Sequence, residues 1–200
     1  VQGGIDYVES LNEEVPTHNP DKLWALVQFE QAFCVLMARQ FPWLRVVILT
    51  AAVGNPDHDE VATMIPAVDF CVKAGWALGY HGYWNVHNQE SQLVQDWYHH
   101  AGRALESWDP VFREAGLYPR YIFGECGAVE DMKPNDGWKV AYNLEKYLAD
   151  IDLFRSELLL WNEMHGNRVI GATLFTLGGG DVWREFEHGA ILGALAEALR

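Results

Sequence analysis

The sequence predicts an α/β protein built on a parallel sheet, and three observations carry that expectation. Short β-type runs alternate five times with longer helix-type runs, the pattern of successive βα units joined by right-handed crossovers. The run RVVILTA at 45–51 is apolar and β-branched without alternation, as suits a strand covered on both faces. Glutamate, asparagine, histidine and tyrosine gather just after the strand-type runs, where parallel sheets bind ligands. Two architectures fit: an open doubly wound sheet, or part of a (β/α)8 barrel, which takes about 250 residues when complete.

The elements follow in order. Residues 5–11 (IDYVESL) form the first strand candidate. A helix runs from about Pro20 to Gln40, with Asn19 as N-cap and Pro20 at the first helical position. Leu23, Leu26, Val27, Phe33 and Leu36 keep helical spacing along it. The 45–51 strand comes next. Residues 58–74 are helical, opened by Asp57, Asp59 and Glu60, which suit the positive end of a helix dipole. WALGYHGYW (76–84) is the third strand, and 90–116 is helical with a break expected near Asp109-Pro110. RYIFGECG (120–127) is the fourth strand. A long helix over 136–165 closes at Gly166. VIGATLFTL (169–177) is the fifth strand, and 188–200 is the last helix. No linker or low-complexity stretch divides the chain, so residues 1–200 read as one domain.

Composition narrows the partners. Half of the 200 residues are hydrophobic and 21% are charged, which excludes a disordered or fibrous chain. A net charge of −14 repels phosphate backbones, which argues against nucleic acid. No apolar run is long enough for a membrane span, and no signal peptide is visible. Cys34, Cys71 and Cys126 show no zinc or disulfide pattern, and the first two read as buried thiols. Nine tryptophans weakly favour a carbohydrate, whose ring faces suit flat apolar surfaces.

The strand ends supply the chemistry. In order they read Asn12-Glu13-Glu14, Gly54-Asn55-Pro56, His81-Gly82-Tyr83-Trp84, Gly124-Glu125-Cys126-Gly127, then Gly178-Gly179-Gly180-Asp181 with Trp183 beyond. Two carboxylates at one sheet mouth are the equipment of a glycosidase: one holds a proton for the leaving oxygen, the other stays ionised. Tyr83 is placed to hold the ionised one, and Trp183 to floor a sugar ring.

The order strand-Asn-Glu, strand-His-x-Tyr, strand-Glu-x-Gly, strand-then-Trp resembles the large clan of retaining glycoside hydrolases with a (β/α)8 barrel. The resemblance implies that the chain matches strands four to eight, the C-terminal five βα units of the barrel. Strands one to three, and the arginine that the clan carries at the end of strand two, have no counterpart. By the resemblance Asn12 binds the substrate 2-hydroxyl, Glu13 is the acid/base and Glu125 the nucleophile. His81 and Tyr83 line the site, and Trp183 is the platform tryptophan; apart from the resemblance, Trp84 beside Tyr83 is a candidate substrate contact. The stretch between the two glutamates accommodates three βα periods of roughly 35 residues. Glu13 would need its carboxyl pKa raised, the charge of Glu125 contributing. The implied partner is a carbohydrate, with no cofactor and no metal. A longer N-terminal segment or a further chain would supply strands one to three, and the resemblance carries an expectation of secretion or cell-surface display.

Plainer readings stand beside these. Glu14 competes with Glu13, although strand alternation points it elsewhere. His81, Tyr83 and Trp84 also fit a packed core, and Asn162-Glu163 fits a solvated helix end. Asp57-His58-Asp59-Glu60 has the composition of a metal site, but helix-start electrostatics explains it. A non-catalytic carbohydrate-binding or assembly module derived from a glycosidase barrel is the alternative function. Another barrel enzyme is less favoured, because no strand ends in lysine or in grouped histidines.

Overall fold

The computed structural model describes residues 7–131, 136–176 and 183–198. Strands β1 (Tyr7–Glu9), β2 (Arg45–Ala51), β3 (Ala77–His87), β5 (Arg120–Glu130) and β6 (Val169–Leu174) form a parallel sheet in that spatial order. The two-residue strand β4 (Glu90–Ser91) turns back antiparallel on the end of β3. Neighbours in space are thus neighbours in sequence among the parallel strands. Right-handed crossovers in one unreversed direction place every helix on the same face. A doubly wound sheet needs a reversal of strand order, and none occurs among the described strands. The sheet curls instead into a half-barrel with helices between its strands, a partial (β/α)8 barrel.

The helix signals in the sequence act where expected. In α1 (Pro20–Gln40) the Asn19 side chain accepts from the Lys22 N–H at 3.0 Å, and Pro20 opens the first turn. Helix α2 (Ile65–Ala74) ends on Gly75 at φ 71°, and α6 (Leu144–His165) ends on Gly166 at φ 82°. Their apolar faces join one core with the sheet, including Leu23, Val27, Ile48, Val68, Leu78, Phe123 and Phe154. Cys34, Cys71 and Cys126 are buried free thiols within it. No helix among the described residues is long and apolar enough to cross a membrane.

Several boundaries differ from the sequence reading. The 58–74 segment begins as a tight 3₁₀ turn, Val61–Met64, and becomes α-helical only at Ile65. The 90–116 segment opens with the β3–β4 hairpin, whose Asn88 and Gln89 take φ of 49° and 60°. Short α3 (Leu93–Asp96) follows, then a π-helical turn at Ala104–Trp108 that runs directly into α4 (Asp109–Glu114). Pro110 makes no break there, since a first-turn residue has no intrahelical N–H bond to lose. The expected 136–165 helix is two helices. After α5 (Trp138–Ala141), Tyr142 is extended and Asn143 caps α6 by accepting from Lys146 N–H. The final α7 is Leu192–Ala198. Residues 177–182, with the predicted Gly178-Gly179-Gly180-Asp181 run, lie outside the described residues.

Candidate active site

Strand alternation gathers the site on the concave face. His81 and Tyr83 are two apart on β3, so their side chains share one face, while Tyr80, Gly82 and Trp84 belong to the other. Across the sheet, Tyr80 pairs with Phe123, but His81 pairs with Glu125. The register slips by one residue at Gly124. Without that slip Glu125 would oppose Gly82 and point into the helix layer. With it, Glu125 lies beside His81, and Cys126, opposite Gly82, turns to the core against Ile151 and Phe154 of α6.

The third component comes from the loop after β1. Glu13 takes φ 56°, a left-handed conformation uncommon for a residue with a side chain. Its carboxylate accepts the His81 Nδ1–H at 2.7 Å. The same nitrogen lies 3.5 Å from Glu125 Oε2, which accepts the Tyr83 hydroxyl at 2.9 Å. One carboxylate oxygen from each glutamate and a His81 ring nitrogen all lie within 4.8 Å of one another. Side-chain exposure grades across the group: 1% for His81, 25% for Glu125 and 45% for Glu13. The imidazole is therefore anchored in protein while both carboxylates reach the opening.

Electrostatics shifts two of these groups, Glu13 and Tyr83. The His81 hydrogen bond holds the Glu13 carboxyl below the usual 4.5, outweighing the upward push of burial. This corrects the expectation of a raised Glu13: the imidazole contact, invisible in the sequence, dominates in the free chain. Burial, reinforced by the Glu125 charge, pushes the Tyr83 phenol far up, so it stays a hydrogen-bond donor. The three converging donor atoms would also suit a divalent cation. Their bonds to one another and to Tyr83 account for the arrangement without one.

The other predicted residues divide. Asn12 is exposed in the Glu13 loop, and Glu14 beside it is exposed too. Trp84 is corrected: it is fully buried and lines no sugar site. Its indole N–H donates to the Tyr142 hydroxyl and to Asp150, each at 2.9 Å, and its ring stacks on Phe154 and Tyr147. Period-two alternation with His81 and Tyr83 was the signal for this. Trp183 is 39% exposed and one ring removed from Tyr83. It meets Phe175 and Phe186 edge-on at centroid distances of 5.3 and 6.0 Å, and both of those rings meet Tyr83. Phe175 and Phe186 are the wall the sequence reading missed; Phe175 lay in the predicted fifth strand, and nothing marked Phe186.

Asn162 is structural, its amide bonding both backbone groups of Val169. His18, Asp57 and Glu60 form a second potential metal-ligating group. Its bonds explain it: Glu60 caps the Asp57 N–H and accepts from Thr17, while Asp57 pairs with Arg103.

No protein-family model matches the chain, and no curated protein matches it. Among solved structures, the chain is similar to an α-L-arabinofuranosidase from Thermotoga maritima in an arabinose complex. The TM-score is 0.52 at 14% identity, over 77% of this chain and 30% of that one. The chain thus spans about 30% of that enzyme's length, and the likeness shows the fold alone, a partial (β/α)8 barrel.

Proposed function

We propose that this chain carries the catalytic face of a retaining glycoside hydrolase, with Glu125 as nucleophile and Glu13 as acid/base. One Glu125 oxygen attacks the anomeric carbon as the glycosidic C–O bond breaks, and Glu13 gives its proton to the leaving oxygen. Water then attacks the glycosyl ester, Glu13 takes its proton, and the sugar leaves with its original anomeric configuration. The observation that carries the reading is the convergence of the two carboxylates, with oxygens within 4.8 Å at the sheet mouth. Retaining pairs stand about 5–5.5 Å apart, whereas inverting pairs leave about 6.5–9.5 Å for a water.

Further support comes from the supporting groups. Tyr83 orients Glu125 through its hydroxyl, leaving the second oxygen for attack. His81 orients Glu13. A glycoside covering the half-exposed Glu13 would strip water from it and raise its proton affinity, moving it toward the acid role. Asn12, next to Glu13, would contact the sugar, and Trp183 would extend the aromatic wall toward it.

A second reading, a carbohydrate-binding half-barrel without turnover, is favoured by one observation. Among the described residues the sheet ends at β1 on one side and β6 on the other. Further strands, from the same polypeptide or another, would complete the barrel.

The experiment is trapping with 2-fluoro glycosyl fluorides, pentofuranosides included, with hydrolysis of matching aryl glycosides followed by NMR. A covalent adduct on the Glu125 peptide, lost in Glu125→Gln, and a first-formed product of retained anomeric configuration are expected. Glu13→Gln should slow hydrolysis by roughly 10²–10⁴-fold, with azide restoring turnover of activated substrates. An inverted product, or an adduct elsewhere, rejects the assignment. Sugar binding without turnover, indifferent to Glu125→Gln, selects the binding module.

A further inference from the structure

Beneath the Glu13 loop, α1 buries a carboxylate that pairs with no cation among the described residues. Glu30 is fully buried, on the helix face shared with Leu23, Val27 and Cys34. Its Oε1 accepts the Ser10 hydroxyl at 2.6 Å and the Leu49 N–H at 3.1 Å, while its buried Oε2 has no partner among the described residues. A carboxylate is a costly group to put in such a place, since leucine would pack there without desolvation.

Both bonds act on chain geometry near the site. In β2 the register slips between Ile48 and Ala51, and Leu49 takes φ 54°. The slip turns the Leu49 N–H out of the strand ladder and toward Glu30. It also drives Thr50 against β3, where Gly79 leaves room: a Cβ there would come within 2.0 Å of the Thr50 hydroxyl. Ser10 is held twice, its side chain by Glu30 and its N–H by the Val47 carbonyl at 2.9 Å. Three residues further on, Glu13 takes its left-handed turn to reach His81.

We infer that Glu30 is a positioning residue for Glu13, acting through Ser10 and the β2 bulge to set where the loop leaves β1. The inference rests on Glu13 serving the proposed site. Burial, opposed by its two hydrogen bonds, holds the Glu30 carboxyl above the usual range. A neutral carboxyl still accepts both bonds through Oε1, so glutamine in its place preserves the anchor.

The test reads the Glu13–His81 contact directly, as the downfield His81 Nδ1–H resonance of the full chain. Glu30→Met should abolish or shift that resonance, and Glu30→Gln should restore it. Ser10→Ala, which removes one hydroxyl, should shift it too, and carries the test if Glu30→Met does not fold. Leu158→Ala, a cavity on α6 away from this loop, lowers stability but should leave the resonance in place. Where hydrolysis is measurable, Glu30→Met should lower kcat by up to ~10²-fold with little change in KM. An unmoved resonance in folded Glu30→Met and Ser10→Ala overturns the inference, as does an equal shift in Leu158→Ala. The resonance is independent of turnover, so an inactive chain with the predicted shifts rejects the hydrolase reading and keeps the role of Glu30.

Discussion

At the starts of β5 and β6, Asp109 is fully buried and saturated. It takes a two-pronged pair from Arg168 at 2.5 and 2.7 Å, an Arg113 contact at 2.9 Å and the Tyr121 hydroxyl at 3.0 Å. The Arg168 guanidinium in turn lies 4.8 Å from the Trp161 ring centroid. At the opposite mouth, Glu13 and Glu125 share one imidazole, and among the described residues no lysine or arginine pairs with either. At the floor two guanidinium groups and a phenol surround the one carboxylate, whose oxygens are left with no capacity for a ligand. The mouth holds acidic charge in excess, half-open and hydrogen-bonded on one side only. Burial of a carboxylate therefore does not mark a reactive site; incomplete compensation at an opening does.

The largest effect expected from breaking this contrast is at the floor. Asp109→Ala leaves two guanidinium groups facing a buried gap and should cost about 3–5 kcal/mol of stability, read by urea denaturation. Glu125→Gln at the mouth should change the same denaturation curve little. A matching loss at the mouth would mean that both clusters are structural.

The next effect is on turnover. Tyr83→Phe removes a hydrogen bond to a charged group, a contact worth about 1.5–3 kcal/mol. Hydrolysis should slow by roughly 10- to 100-fold, one decade per 1.4 kcal/mol, with the variant still folded at the assay temperature. A rate equal to that of the parent would remove Tyr83 from the mechanism.

The smallest effect is in titration. The lowered Glu13 carboxyl contributes stability that is present above its unfolded value of 4.5 and is lost as pH falls through its folded value. Carbon NMR should place the Glu13 midpoint below 4.5, and His81→Asn should raise it. A midpoint at or above 4.5 in the parent chain would show that burial outweighs the imidazole.

Much of the frame was legible because its signals are local. Asn19-Pro20 and Gly166 mark helix ends by backbone chemistry that acts within one turn. The helix division at Tyr142-Asn143 was missed although Asn143 is a good cap, because apolar spacing continues across it. Trp84 was left open between a sugar contact and packing, and the parity of its position sends it to Asp150.

By itself the sequence determined the alternation of strand and helix, and the carboxylates, imidazole and phenol that could meet at the strand ends. Backbone propensity and side-chain period suffice for that. The tertiary structure alone decided which face Glu125 takes, through a one-residue slip at Gly124, and that His81 lowers the proton affinity of Glu13. Register and proton affinity depend on groups far apart in the chain, and no local pattern encodes the distance between them.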